Sequence, residues 1–70
     1  MDAKELRGEI AKAGYSIPLL AAEIGIGKKA FYEKMCGKSQ FKQREIVAIS
    51  KVLNLPKEKI YAIFFAGEVS

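Results

Sequence analysis

The sequence predicts an all-α domain of five helices, and three observations carry that expectation. Apolar residues recur at three- and four-residue intervals in successive stretches; glycine or proline punctuates each break; and no trustworthy stretch alternates with the period of two that a half-buried strand needs. Seventy residues, half of them apolar, make one small globular domain spanning 1–70, at a size where a single core leaves little net stability.

The first helix starts behind Asp2, with Glu5 three residues on in the form of a capping box, and continues through Leu6, Ile10 and Ala13 to Gly14. Tyr15 then has two uses open to it, packing its ring on the bundle or offering its hydroxyl to a phosphate. Ser16 is a good N-cap for the second helix, and Pro18 lies in its first turn, where a missing N–H costs nothing. Leu20, Ala21 and Ile24 mark its buried side, and the small pair Ala21-Ala22 lets a neighbouring helix come close. Gly25 can leave the helix in a left-handed conformation, with Ile26 plugging the inside of the turn.

The third helix covers Lys28 to Cys36 and stops at Gly37. Phe31 and Met35, four apart, share its inner face, which leaves Lys28, Lys29, Tyr32 and Glu33 on the other face near the helix start. Gly27 stands where a side-chain cap is expected. Lys38-Ser39-Gln40-Phe41-Lys42 is a loop by composition, with Phe41 tucked into the core and its neighbours either binding phosphate or simply solvated. Ile46, Ile49, Val52 and Leu53 define a fourth helix from about Gln43 to Asn54, with Val47 and Ala48 widening its apolar face. Pro56 opens a fifth, whose buried stripe is Ile60, Ile63 and Phe64. The tail 65–70 has no helical pattern. Phe64, Phe65 and Val69 are the candidates for a dimerisation surface, against the alternative that both rings close the core.

Charge placement says more than the net +4. Up to Tyr15 three bases balance three acids, and from Leu55 onward Lys57 and Lys59 balance Glu58 and Glu68. Between Gly27 and Arg44, six bases stand against the single acid Glu33, a local +5 over eighteen residues. Such a block fits a polyanion partner, or on the plainer reading a solvated basic face. Lys28 and Lys29 also occupy the positive end of a helix dipole, a mildly unfavourable placement in water that becomes useful beside phosphate.

One cysteine, Cys36, and no histidine exclude a disulfide framework, a zinc finger and His-based catalysis. No nucleophile has a plausible base, so an enzyme is not expected, nor is a metal, cofactor or small-molecule ligand. No apolar run approaches the roughly 20 residues that cross a bilayer, and MDAKEL lacks the start of a signal peptide, so a complete cytoplasmic chain without membrane contact is expected.

The stretch from Leu6 to Phe65 resembles the lambda-repressor-like helix-turn-helix domains of phage and prophage regulators, the Cro/CI or xenobiotic-response-element class. The resemblance lies in LLAAEIGIGKKAFYEKMCGK, in IVAISKVLNLPKEKI and in the KMCGKSQF loop held in register between them. It implies a compact five-helix DNA-binding domain with its helix-turn-helix unit at about 16–37 and a recognition helix at about 28–36 entering the major groove. It further implies a transcription regulator, repressor or Cro-like, that binds a palindromic operator on double-stranded DNA as a homodimer at the bacterial nucleoid. Carried over by position, Lys28, Lys29, Tyr32 and Glu33 would read bases, while Ser16, Ile17, Lys34, Lys38, Ser39, Gln40 and Lys42 would meet the phosphate backbone. Relatives commonly carry Gln at the position of Ile17, Ser or Thr at those of Gly27 and Tyr32, and Asn at that of Cys36. The competing class is a protein-interaction module, an antirepressor or adaptor, that turns the same basic face to an acidic partner.

Overall fold

The computed structural model describes residues 1–65, and these residues are all-helical. Helix α1 spans Ala3–Lys12, α2 Ile17–Ile24, α3 Lys28–Met35, α4 Gln43–Leu53 and α5 Lys57–Ile60, the last running on into a π-helical turn over Tyr61–Phe65. No helix among the described residues is long and apolar enough to cross a membrane.

Local chemistry sets the boundaries. The Asp2 carboxylate accepts from the Glu5 N–H at 3.0 Å and the Ser16 hydroxyl from the Leu19 N–H at 3.2 Å, so α1 and α2 both begin on side-chain caps. Only half of the expected capping box at Asp2 forms. Its own N–H donates to the Ile63 carbonyl at 2.7 Å, and the Glu5 carboxylate turns instead to Lys59. At the end of α2, Gly25 adopts φ 83°, which lets its N–H reach the Ala22 carbonyl and the Ile26 N–H reach the Ala21 carbonyl at 3.0 Å. This pair of bonds satisfies carbonyls that the helix end would otherwise orphan. The same pattern closes α4, where Asn54 takes the left-handed position at φ 55°.

The core is built from Leu6, Ile10, Leu20, Ala21, Phe31, Met35, Ile49, Leu53, Ile63 and Phe64. Phe41, from the loop after α3, packs edge-on to Phe31 at 5.2 Å and to Phe64 at 5.8 Å, so one ring from the loop joins α3 to the C-terminal turn. Edge-to-face contacts of this kind add to the area the rings already bury. Two expectations change here. Phe64 is a core residue, 5% exposed, because the helical path carries its ring inward with Ile63; it is not a surface side chain for dimerisation. Val47, expected to widen the buried face of α4, points outward at 45% exposure. Phe65 falls on the outer side of the turn, and Val69 lies outside the described residues.

Candidate nucleic-acid interface

The turn Gly25–Gly27 brings α3 back against α2, and the burial of Phe31 and Met35 fixes which side of α3 is left to solvent. Lys28, Lys29 and Tyr32 are exposed on that side, and Glu33 is half-buried. Together with Cys36 and Lys38 they line one shallow depression of about 430 Å³. All four residues expected to read bases therefore share a single surface, at the N-terminal end of a helix whose first turn has no side-chain cap at Gly27. Its first N–H groups have neither an intrahelical acceptor nor a side-chain cap, which beside the lysines is a combination suited to an anion.

The expected backbone contacts divide. Ser16, Lys38, Ser39, Gln40 and Lys42 are exposed. Ile17 packs its side chain against the core and can offer only its N–H, at the first position of α2, where no intrahelical acceptor exists. Lys34 is corrected outright. Its side chain is 12% exposed and its Nζ donates to Glu45 Oε1 at 2.6 Å, so its charge is committed inside the protein.

Glu45 was not foreseen as a site residue. Its side chain is 4% exposed, and the same Oε1 also accepts the Lys42 N–H at 2.8 Å. Lysine has no acceptor, so this N-terminus of α4 is capped from the glutamate side alone. Burial opposes ionisation of Glu45, but hydrogen bonds from Lys34 and from the Lys42 backbone, with the charges of both lysines, outweigh it and hold the carboxyl below its ordinary range. The signal that could have found it is its place three residues after Lys42, the spacing of a carboxylate that caps its own helix.

Of the six bases in the block, Lys28, Lys29, Lys38, Lys42 and Arg44 stay exposed, and among the described residues none of these five pairs with a carboxylate. Arg44, counted in the charge block but given no role, belongs to this exposed set. A second surface is apolar: Ile46, Val47, Leu55, Ile60 and Phe65 line an open groove of about 430 Å³ between α4 and the C-terminal turn. Among the described residues no three His, Cys, Asp or Glu side chains gather as a metal site would require. Comparison with family models, with curated proteins and with solved structures finds no match for this chain.

Proposed function

We propose that this chain is a sequence-specific double-stranded DNA-binding transcription regulator of the lambda-repressor-like kind, with α3 as its recognition helix. The observation that carries the reading is the exposed face of α3, where Lys28, Lys29, Tyr32 and Glu33 share one depression at a helix start that follows a tight turn. A lysine there donates to guanine O6 and N7, Tyr32 makes apolar or hydroxyl contact, and Glu33 accepts from cytosine N4. Ser16, the Ile17 N–H, Lys38, Ser39, Gln40 and Lys42 meet phosphates and set register. In this reading the protein acts as a homodimer on a palindromic operator, with Phe65 and the apolar groove beside it, at 39% exposure for the ring, as the surface for the second copy.

Selection from a random duplex library tests the proposal. The expected result is a preferred palindrome, bound with a log-log salt slope near −5 if the dimer neutralises about six phosphates. No preferred sequence, with binding confined to acidic proteins, replaces it with the interaction-module reading. Sedimentation at micromolar concentration tests the dimer, and a strict monomer both free and on DNA removes it.

A further inference from the structure

One carboxylate oxygen closes a loop from both sides. Lys34 Nζ, on the last turn of α3, and the Lys42 N–H, where the loop enters α4, both donate to Glu45 Oε1, at 2.6 and 2.8 Å. Between these anchors the chain passes through Phe41, whose ring lies between Phe31 and Phe64 with Lys34 Nζ 5.9 Å from its centroid. The exposed Lys38, Ser39, Gln40 and Lys42 are thus held on a segment fixed at its start, its end and its one apolar residue.

The chemistry exceeds what capping needs. Any acceptor at position 45 would satisfy the Lys42 N–H, and a neutral amide would do so without bringing a charge out of water. A buried ion pair is weak evidence for stability, since a matched apolar pair often does as well. What the ionised pair adds is a directional tie between the last turn of α3 and the first turn of α4, across the loop that carries two of the five exposed cations of the basic block.

We propose that Glu45 is a positioning residue for polyanion binding: by holding Lys34 and the Lys42 N–H on one oxygen, it fixes the 37–42 loop against α3 so that Lys38 and Lys42 address the same polyanion as Lys28 and Lys29. This rests on the DNA-binding reading for the identity of the polyanion.

The test compares the full-length chain with Glu45→Ala and with the double variant Lys34→Met/Glu45→Gln. The double variant keeps an acceptor for the Lys42 N–H and removes the ion pair without stranding a charge, so it stays testable if Glu45→Ala fails to fold. Two measurements are made where each protein is folded: amide hydrogen exchange, and binding of the duplex selected by the parent chain over a salt series. In both variants the amides of residues 38–41 are expected to exchange faster while those of α1 do not change, and affinity falls. The salt slope is expected to shrink by about 1.8 per protomer, about 3.6 for the dimer, as Lys38 and Lys42 leave the set of phosphate contacts. A folded double variant with unchanged loop exchange, or with unchanged affinity and slope, overturns the proposal and leaves Glu45 a stability element. If the parent chain binds no duplex at all, the DNA reading falls separately. Loop exchange then decides whether Glu45 positions the loop, an unchanged loop sinking the claim and a selectively loosened one upholding it.

Discussion

Among the described residues two ionic joints link separate helices, and they use charge in opposite ways. At the joint of α3 and α4, Lys34 and Glu45 are almost wholly buried, and the carboxylate oxygen that accepts from Lys34 also accepts the capping bond from the Lys42 N–H. At the joint of α1 and α5, Lys59 lies between Glu5 and Glu9 in partial contact with water, at 2.5 and 3.4 Å, beside the backbone bond from Asp2 to Ile63. The second joint links two stretches in which bases and acids already balance in number, Lys4, Arg7 and Lys12 against Asp2, Glu5 and Glu9, and Lys57 and Lys59 against Glu58 and Glu68. The first takes up one lysine of the basic block and leaves five other cations exposed, none of them paired with a carboxylate among the described residues. A count of charges along the chain does not separate these cases; only the partner of each lysine does.

The largest break expected in this comparison is Lys34→Met. It leaves the Glu45 carboxylate buried with only the Lys42 N–H, and removing one partner of a buried pair costs about 3 kcal/mol or more. Urea denaturation should show that loss, and Lys34→Met/Glu45→Gln should recover most of it. If the single and double variants prove equally destabilised, the pair is not acting as a buried ion pair.

Acid should loosen both joints, and by less, because protonation removes charge but leaves an oxygen to accept hydrogen bonds. Glu9 behaves like Glu45 in direction: desolvation opposes its ionisation, while Lys12 and Lys59 outweigh it and lower its pKa. For a carboxyl whose pKa is lower in the folded than in the unfolded chain, the stabilisation is complete above the ordinary value of 4.5 and is lost as pH falls through the folded value. Lys59 runs the other way. The hydrogen bond and charge of Glu5, then of Glu9, raise its pKa, so its contribution is complete below 10.5 and lost as pH rises through the folded value. Urea midpoints should therefore form a plateau between these limits. In Lys34→Met/Glu45→Gln the acid limb should become shallower, and an unchanged limb would remove Glu45 from the account.

The sequence made the local half of this picture readable and hid the rest for a physical reason. Caps and turns are settled within about five residues, so Ser16, Gly25 and the outer face of α3 could be read directly, and Lys28, Lys29, Tyr32 and Glu33 do come together. The Lys34–Glu45 pair spans eleven residues and exists only because the loop folds back, so Lys34 read as one more surface cation. Which of Phe64 and Phe65 turns inward depends on the π-helical turn, which no short-range pattern announced. Val47 is apolar and outward because nothing among the described residues covers that side of α4.

At the exposed joint, Lys59→Gln should cost less than Lys34→Met. Both carboxylates it leaves behind can be hydrated, and the Asp2 to Ile63 backbone bond remains. Its loss should also shrink in salt, because screening acts on partly hydrated pairs far more than on buried ones. Thermal melts of Lys59→Gln and Lys34→Met at low and high salt make the comparison, and the same salt response in both would erase the distinction between the joints.

The smallest effect expected has the opposite sign and belongs to the basic side. α1 and α2 begin on side-chain caps, whereas α3 begins on Gly27 with none. Gly27 sits at φ −71° and ψ 153°, a conformation open to any residue, and a Cβ there would meet nothing within 4 Å. Serine therefore fits and can accept from an N–H in the first turn of α3, a gain over glycine of about 0.3 kcal/mol. Gly27→Ser should raise the urea midpoint slightly, and a fall would mean that the start of α3 cannot accept a cap in its present geometry. The gain also bears on why the cap is missing. A serine hydroxyl would occupy a first-turn N–H that α3 leaves without a side-chain cap, at the end of the helix that carries Lys28 and Lys29. A variant that is more stable yet binds its selected duplex less tightly would mark that N–H as part of the anion-binding surface; a variant that gains stability with no change in binding would restrict the surface to the side chains.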